Sequence, residues 1–259
     1  MMRIFVRFFS LIIFSTILMI FLITGCETGG KRNPLLVPKD GRLIFLLHST
    51  GGNLWNDGGV VSWFDQYNID HGTGYSVEEQ WYSRAGNYPY DFWYDWCHED
   101  NLDGLASQYQ VIVWKHCFPV SQIEESSAPG DVASEQKTIA NYKLQYNALK
   151  AKMRSFSNNI FIVWTGAVCK QGEIDVGQAQ RTKDFFDWVR STWDESGDNI
   201  FLWDFYYWET DGTSLYLKDE YATDSHPNTA FNQRVAPYFC RRVVNVIQGN
   251  GDTTSIQGN

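Results

Sequence analysis

The sequence predicts a three-layer α/β/α sandwich with a mostly parallel central sheet, built as one domain over residues 41–247. Three observations predict it. First, four short apolar runs, Arg42–Leu47 (RLIFLL), Gln110–Trp114 (QVIVW), Asn159–Trp164 (NIFIVW) and Asn199–Trp203 (NIFLW), are nearly continuous rather than alternating. Strands read that way when helices cover both faces of their sheet. Second, stretches of helical periodicity separate them, so successive strands are joined by right-handed crossovers and run parallel. Third, no repeat or composition shift divides the stretch, and its length suits a single core.

Taken in order, the first strand runs straight into Leu47-His48-Ser49-Thr50-Gly51-Gly52-Asn53. Tyr75–Tyr82 alternates more than the other runs and reads as an edge strand. Glu135–Ser155 places Ile139, Tyr142, Tyr146, Leu149 and Met153 on one stripe, and Gln178–Trp193 does the same with Phe185, Phe186, Trp188 and Val189. The last helix starts near Thr229, just after His226-Pro227-Asn228, and ends near Val246. Beyond it, Gln248–Asn259 (QGNGDTTSIQGN) has no apolar pattern and is expected to be disordered.

The chain begins with an address. Arg3 and Arg7 precede an apolar run from Phe8 to Ile23, which ends in Thr24-Gly25-Cys26. A basic start, an apolar centre and small residues before a cleavage point mark residues 1–25 as a secretory signal. Its end resembles the bacterial lipobox, which implies a lipid on the Cys26 thiol. The alternative is an ordinary signal peptide in which Cys26 is incidental. Residues 26–40 carry Gly, Pro and charges without periodicity and read as a tether. The expectation is an exported protein, anchored to the membrane through lipid on Cys26 and held at the outer membrane or cell surface of a bacterium.

Composition narrows the function. Lys+Arg number 21 against 30 Asp+Glu, a net charge of −9, which argues against a nucleic-acid partner needing a basic face. The remaining cysteines, Cys97, Cys117, Cys169 and Cys240, form no C-x-x-C pair, so no metal site is expected. Aromatic residues make up 16%, with 11 Trp, enough for a core and for a surface that stacks on sugar rings. The run Tyr88, Tyr90, Phe92, Trp93, Tyr94 and Trp96 is either such a platform or a lid packed on the core.

In a parallel α/β sheet, ligands sit beyond the carboxyl ends of the strands. Ser49 stands there, where the chain leaves the first strand, followed by glycines that allow a tight turn beside a ligand. It is either a nucleophile or part of a glycine-rich turn that caps a helix or cradles phosphate. Near the other end of the chain stands Asp224-Ser225-His226-Pro227-Asn228. Pro227 keeps His226 out of a helix. In extended backbone, residues two apart face one way, so Asp224 and His226 share a side. A carboxylate that orients an imidazole is two-thirds of a hydrolytic triad. The alternative makes Asp224 a turn cap and His226 a surface residue. His48 competes as a base, and Asp204, after the fourth run, is the runner-up acid.

In their order along nearly the whole chain, these residues resemble the SGNH (GDSL-type) hydrolase family. The resemblance implies an SGNH/flavodoxin-like sandwich and a serine esterase. Ser49 is then the nucleophile, His226 the base and then acid, Asp224 the orienting carboxylate, and Gly86 an oxyanion donor. Three departures stand out. Leu47-His48 replaces the family's Gly-Asp before the serine, and the acid lies two residues before the histidine instead of three. The family's Gly-x-Asn-Asp block is also absent, its place reading Lys115-His116-Cys117-Phe118. A backbone N–H or a side chain of Lys115–Cys117 is expected to stand in for the missing Asn.

The expected function is an anchored esterase or acyltransferase acting on an O-acyl, above all O-acetyl, ester carried by a glycan, with no cofactor called for. A conventional α/β-hydrolase is a second enzymatic possibility, although the first Gly of its Gly-x-Ser-x-Gly elbow is Leu47. A non-catalytic glycan-binding lipoprotein on the same scaffold is the alternative from another class.

Overall fold

Five strands, β1 (Arg42–Leu47), β2 (Ser76–Trp81), β3 (Val111–Trp114), β4 (Ile160–Trp164) and β5 (Ile200–Trp203), form one sheet in the order β2-β1-β3-β4-β5. Every neighbouring pair is parallel. This computed structural model describes residues 36–82, 87–222 and 224–259, all within one compact unit. Cys26, Gly86 and tether residues 26–35 lie outside the described residues. The end of the tether is docked instead of free, since Val37 donates to the Ile247 carbonyl and the Lys39 carbonyl accepts from Gly74.

Eight α-helices accompany the strands among the described residues. They are α1 (Ser49–Asp57), α2 (Val60–His71), α3 (Pro89–Trp93), α4 (Leu102–Ala106), α5 (Ile139–Ser155), α6 (Val176–Trp188), α7 (Phe205–Thr210) and α8 (Thr229–Ile247). Alternate strand residues feed two separate cores, as the two-residue period of a strand requires. Leu43, Phe45, Val111, Val113, Ile160 and Ile162 join residues of α1, α2 and α8 on one face. Ile44, Leu46, Ile112, Trp114, Phe161 and Val163 join α3, α5 and α6 on the other. Both faces of the inner strands are therefore dry, which explains their continuous apolar runs. β2, at the edge, is mostly exposed.

Capping sets where the helices start. α5 begins at Ile139, four residues after the expected Glu135, because Thr138 is extended and its hydroxyl accepts from Asn141 N–H at 3.3 Å. α6 begins at Val176, two residues early. Asp175 accepts from Gln178 N–H and the Gln178 side chain accepts from Asp175 N–H, a reciprocal capping box. Strand order reverses between β1 and β3, and the crevice at their carboxyl ends is where such a sheet offers a site.

The C-terminal segment 248–259, expected to be disordered, is bound to the domain. Arg242 on α8, almost wholly buried, donates to the Leu202 carbonyl at 2.8 Å and to the Gly251 carbonyl at 2.7 Å. Asp204 N–H donates to the Ile256 carbonyl, and the Trp208 indole N–H to that of Gln257. Gly258 adopts φ +79°, and a Cβ there would lie 2.0 Å from the Tyr238 carbonyl oxygen. The segment is ordered mostly through its backbone carbonyls and a few polar side chains, and so it carries no hydrophobic periodicity to read. Arg242→Met keeps the bulk but removes the donors. It should cost ~3 kcal/mol in urea unfolding and open the segment to limited proteolysis.

Candidate active site

β1 delivers the chain to the switch point, and the turn that follows is tight. His48 is extended (φ −137°, ψ 160°), and Ser49, the first residue of α1, takes φ +24°, a strained value for a side chain bearing a Cβ. The His48 carbonyl accepts from both Gly51 N–H (2.6 Å) and Gly52 N–H (3.2 Å), which closes the first turn of α1. This conformation lifts the Ser49 hydroxyl out of the sheet.

The Asp224–Asn228 loop comes to meet it from the other end of the chain. Asn228 caps α8 by accepting from Phe231 N–H at 2.9 Å, and Ala222 pairs with Pro227 across a short bridge. Ser225 points inward, where it bonds to Glu173 and accepts from Lys170 N–H. Asp224 and His226 therefore turn the opposite way, together. Ser49 Oγ lies 2.5 Å from His226 Nε2, and His226 Nδ1 lies 2.7 Å from Asp224 Oδ1. The same Oδ1 accepts from the His226 backbone N–H at 2.7 Å. These bonds hold the Asp224 carboxyl below the usual carboxylate range, so it stays ionised and accepts from Nδ1, which leaves Nε2 free to accept from the serine hydroxyl. The Phe118 ring packs edge-on against His226 at 5.3 Å and fixes its plane.

Other expected residues fall elsewhere. Asp204, the runner-up acid, is buried and committed to Thr165, Arg190 and Gln257. Most donors of Lys115–Cys117, the stretch expected to stand in for the absent Asn, are committed elsewhere. Cys117 N–H donates to the Asn87 carbonyl, His116 Nε2 bonds to Tyr146 in the core, and the Lys115 ammonium donates to the His48 carbonyl and Thr50 hydroxyl. Gly86 lies outside the described residues. The aromatic run from Tyr88 to Trp96 is no platform, because Tyr88, Tyr90, Phe92 and Trp96 are buried in the core. Its residues are spent on packing, the ordinary fate of large apolar rings.

Trp81 and Glu209 carry no sequence signal that places them near the site, and Lys115 is expected there only as a stand-in donor. Trp81 ends β2 in register with Leu47, is 65% exposed, and lies with its ring centroid 5.0 Å from that of His48. Lys115, behind the serine turn, and Glu209 are fully buried. A lysine closing an apolar strand and a glutamate in an aromatic run carry no sequence signal that they attract each other. Among the described residues, no cluster of three His, Cys, Asp or Glu side chains is placed to hold a metal ion.

No protein-family model and no curated protein matches the chain in sequence. Solved structures do match in three dimensions. One, assigned as a GDSL-like lipase from Parabacteroides merdae, aligns with a TM-score of 0.54 at 14% identity, covering 84% of this chain and 99% of that one. An α/β hydrolase from the metagenome of Lake Arreo, Spain, aligns at 0.53 and 16% identity, over 81% and 95% of the two chains. Sheet order, helical layers and these likenesses define a three-layer α/β/α sandwich with a parallel central sheet. Within that class, the fold is of the SGNH/GDSL-like kind.

His48 is buried beside the serine, and its imidazole is pushed down to about 4, first by burial and then by the Lys115 charge. It is therefore neutral at neutral pH, and its protons separate the folded and unfolded states on acidification. Between the ordinary 6.5 and about 4, the unfolded chain takes up a proton that the folded one refuses. Stability should thus fall as the pH drops through that window and be insensitive to His48 above it. In His48→Gln, the loss of unfolding free energy from pH 7 to pH 4 should be smaller by about 2–3 kcal/mol, as denaturant titrations at the two pH values would show.

Proposed function

We propose that the chain is a serine esterase or acyltransferase acting on O-acyl esters. The observation that carries this reading is the continuous hydrogen-bonded chain Ser49–His226–Asp224, assembled at the switch point from opposite ends of the sequence. Ser49 Oγ attacks the ester carbonyl while His226 Nε2 takes its proton. Asp224 holds the imidazole in the tautomer that can accept it and stabilises the cation that forms. The tetrahedral oxyanion faces the head of α1, whose first N–H groups, those of Ser49 and Thr50, have no acceptor within the helix. The alcohol then departs with the proton from His226. Water or an acceptor hydroxyl resolves the acyl-serine by the reverse steps.

We assign the alcohol side of the ester to a carbohydrate. Trp81 supports this, because it stands beside the serine turn with most of its indole in solvent. Gly52 has no side chain to cover it, and even a Cβ there would only reach Trp81 at 3.9 Å. An indole so presented stacks on the apolar face of a sugar ring. The signal-like residues 1–25 and Cys26 support an exported, lipid-anchored setting in which such a polymer is met.

Hydrolysis of p-nitrophenyl acetate tests the chemistry. Ser49→Ala and His226→Ala should each lower kcat by about 10⁴-fold or more, and Asp224→Asn by about 10²- to 10⁴-fold. Wild-type turnover no faster than these variants, together with glycan binding that survives Ser49→Ala, would replace the enzyme with a glycan binder. For Trp81→Ala, kcat/KM on an acetylated oligosaccharide should fall about 3- to 10-fold further than on p-nitrophenyl acetate. Equal losses on both substrates would remove the carbohydrate assignment and leave the esterase.

A further inference from the structure

Lys115 is only 1% exposed, yet its ammonium donates to the two residues that flank the nucleophile, at the His48 carbonyl (3.3 Å) and the Thr50 hydroxyl. We propose that Lys115 is a positioning residue for the nucleophile: it fixes the turn that carries Ser49 and sets a positive charge behind the N–H groups that face the oxyanion. The proposal rests on the serine-esterase reading and assigns the work of the missing side-chain donor to a cation one layer deeper.

The fold puts it there. β3 pairs with β1 through Leu46 and Trp114, so the residue after Trp114 lies alongside the serine turn. Gly51 leaves the passage, because a Cβ at that position would sit 2.7 Å from Lys115 Cδ and 3.5 Å from Nζ. The ammonium is also 5.8 Å from the centre of the Trp164 ring. Glu209, whose carboxyl group attracts the ammonium, is fully buried and accepts from Val168 N–H at 2.9 Å. Gly166 leaves the space for that carboxylate, since a Cβ there would come within 2.8 Å of its Oε2. Burial pushes Lys115 down and Glu209 up, and their mutual attraction opposes both shifts. A lone buried ammonium is unfavourable. Here a glycine, an aromatic face and two oxygen acceptors converge to keep one beneath the first turn of α1, with the Glu209 carboxyl group attracting it from further off.

The Thr50 hydroxyl extends the link. It accepts from Lys115 and points its own hydrogen toward Cys117 Sγ at 3.9 Å. The charge thus grips Thr50, whose N–H is one of the two at the head of α1. A shift of that turn moves the serine hydroxyl and the oxyanion donors together, so loss of Lys115 should act on kcat far more than on KM.

The test compares the purified full chain with Lys115→Met and with the double variant Lys115→Met/Glu209→Gln, which leaves no buried charge unpaired. The readouts are melting temperature, kcat and KM on p-nitrophenyl acetate, and the rate of Ser49 phosphonylation by a fluorophosphonate. The double variant should melt near the wild type yet react with the probe at least about tenfold more slowly, with kcat reduced in parallel and KM changed less than about threefold. Thr50→Val, which removes the acceptor while leaving the lysine, should slow phosphonylation, and Thr50→Ser should restore it. A folded double variant and Thr50→Val that both label at the wild-type rate would overturn the proposal and reduce Lys115 to a packing residue. A wild type that does not label at all would instead overturn the esterase reading.

Discussion

The contact on which the site depends joins residues 177 positions apart, Ser49 and His226. One lies at the head of the first helix and the other just before the last, so the bond exists only if α1 and α8 dock in a single register. Two features set that register. Asp57, the last residue of α1, accepts from Thr229 (3.1 Å) and Asn232 (3.3 Å) in the first turn of α8. Gly58 lets the helices touch, as a Cβ there would stand 2.4 Å from that of Ala236. Side chains of both helices then bury themselves on Phe45, Val113 and Ile162 of the same sheet face. The hydrophobic core supplies the stability, while a few polar contacts at the helix ends decide where the hydroxyl and the imidazole meet.

Buried charge gathers at the carboxyl end of the sheet. Lys115, Asp204, Glu209 and Arg242 are all buried on or beside elements that end there. Each is costly alone, and each is engaged differently. Arg242 binds main-chain carbonyls and anchors the C-terminal segment. Asp204 ties β5 to Thr165, Arg190 and the same segment. Lys115 reaches the His48 carbonyl and Thr50 hydroxyl of the serine turn, and Glu209 accepts from Val168 N–H. The distinction follows from strand order: β3 abuts β1 at the switch point, whereas β5 is the far edge.

How much of this was legible in the sequence follows from the range of the forces. Strands β1, β3, β4 and β5 show as continuous apolar runs because nearly all of their residues are buried, and β2 shows fewer apolar residues because most of it is exposed. Ser49, Asp224 and His226 were legible because each sits next to a local punctuator, Gly51-Gly52 or Pro227, that reports backbone shape. The ordering of residues 248–259 is invisible in the sequence because it is held mostly by carbonyls, which every residue has, and by a few polar side chains with no periodicity. The aromatic run near Trp93 leaves two readings open in the sequence, since ring count does not say which rings are inside, and the structure gives the packed one. Trp81, one residue of an otherwise polar edge strand, gave no sign that it would overlook the serine.

The acid two residues before the histidine is a departure with a physical consequence. Asp224 Oδ1 accepts from both the backbone N–H and Nδ1 of His226, each at 2.7 Å, so carboxylate and imidazole form a closed ring within one turn of chain. Nothing from another element is needed to aim the acid, which stays largely in solvent. A buried carboxylate would stabilise the imidazolium more strongly, because solvent screens an exposed one. What the short spacing provides instead is orientation: the backbone bond leaves the carboxylate little freedom to turn away, and Pro227 holds the loop extended. Orientation by so local a ring leaves the stronger electrostatic help to come from elsewhere, and the nearest source is the buried charge beneath the serine turn.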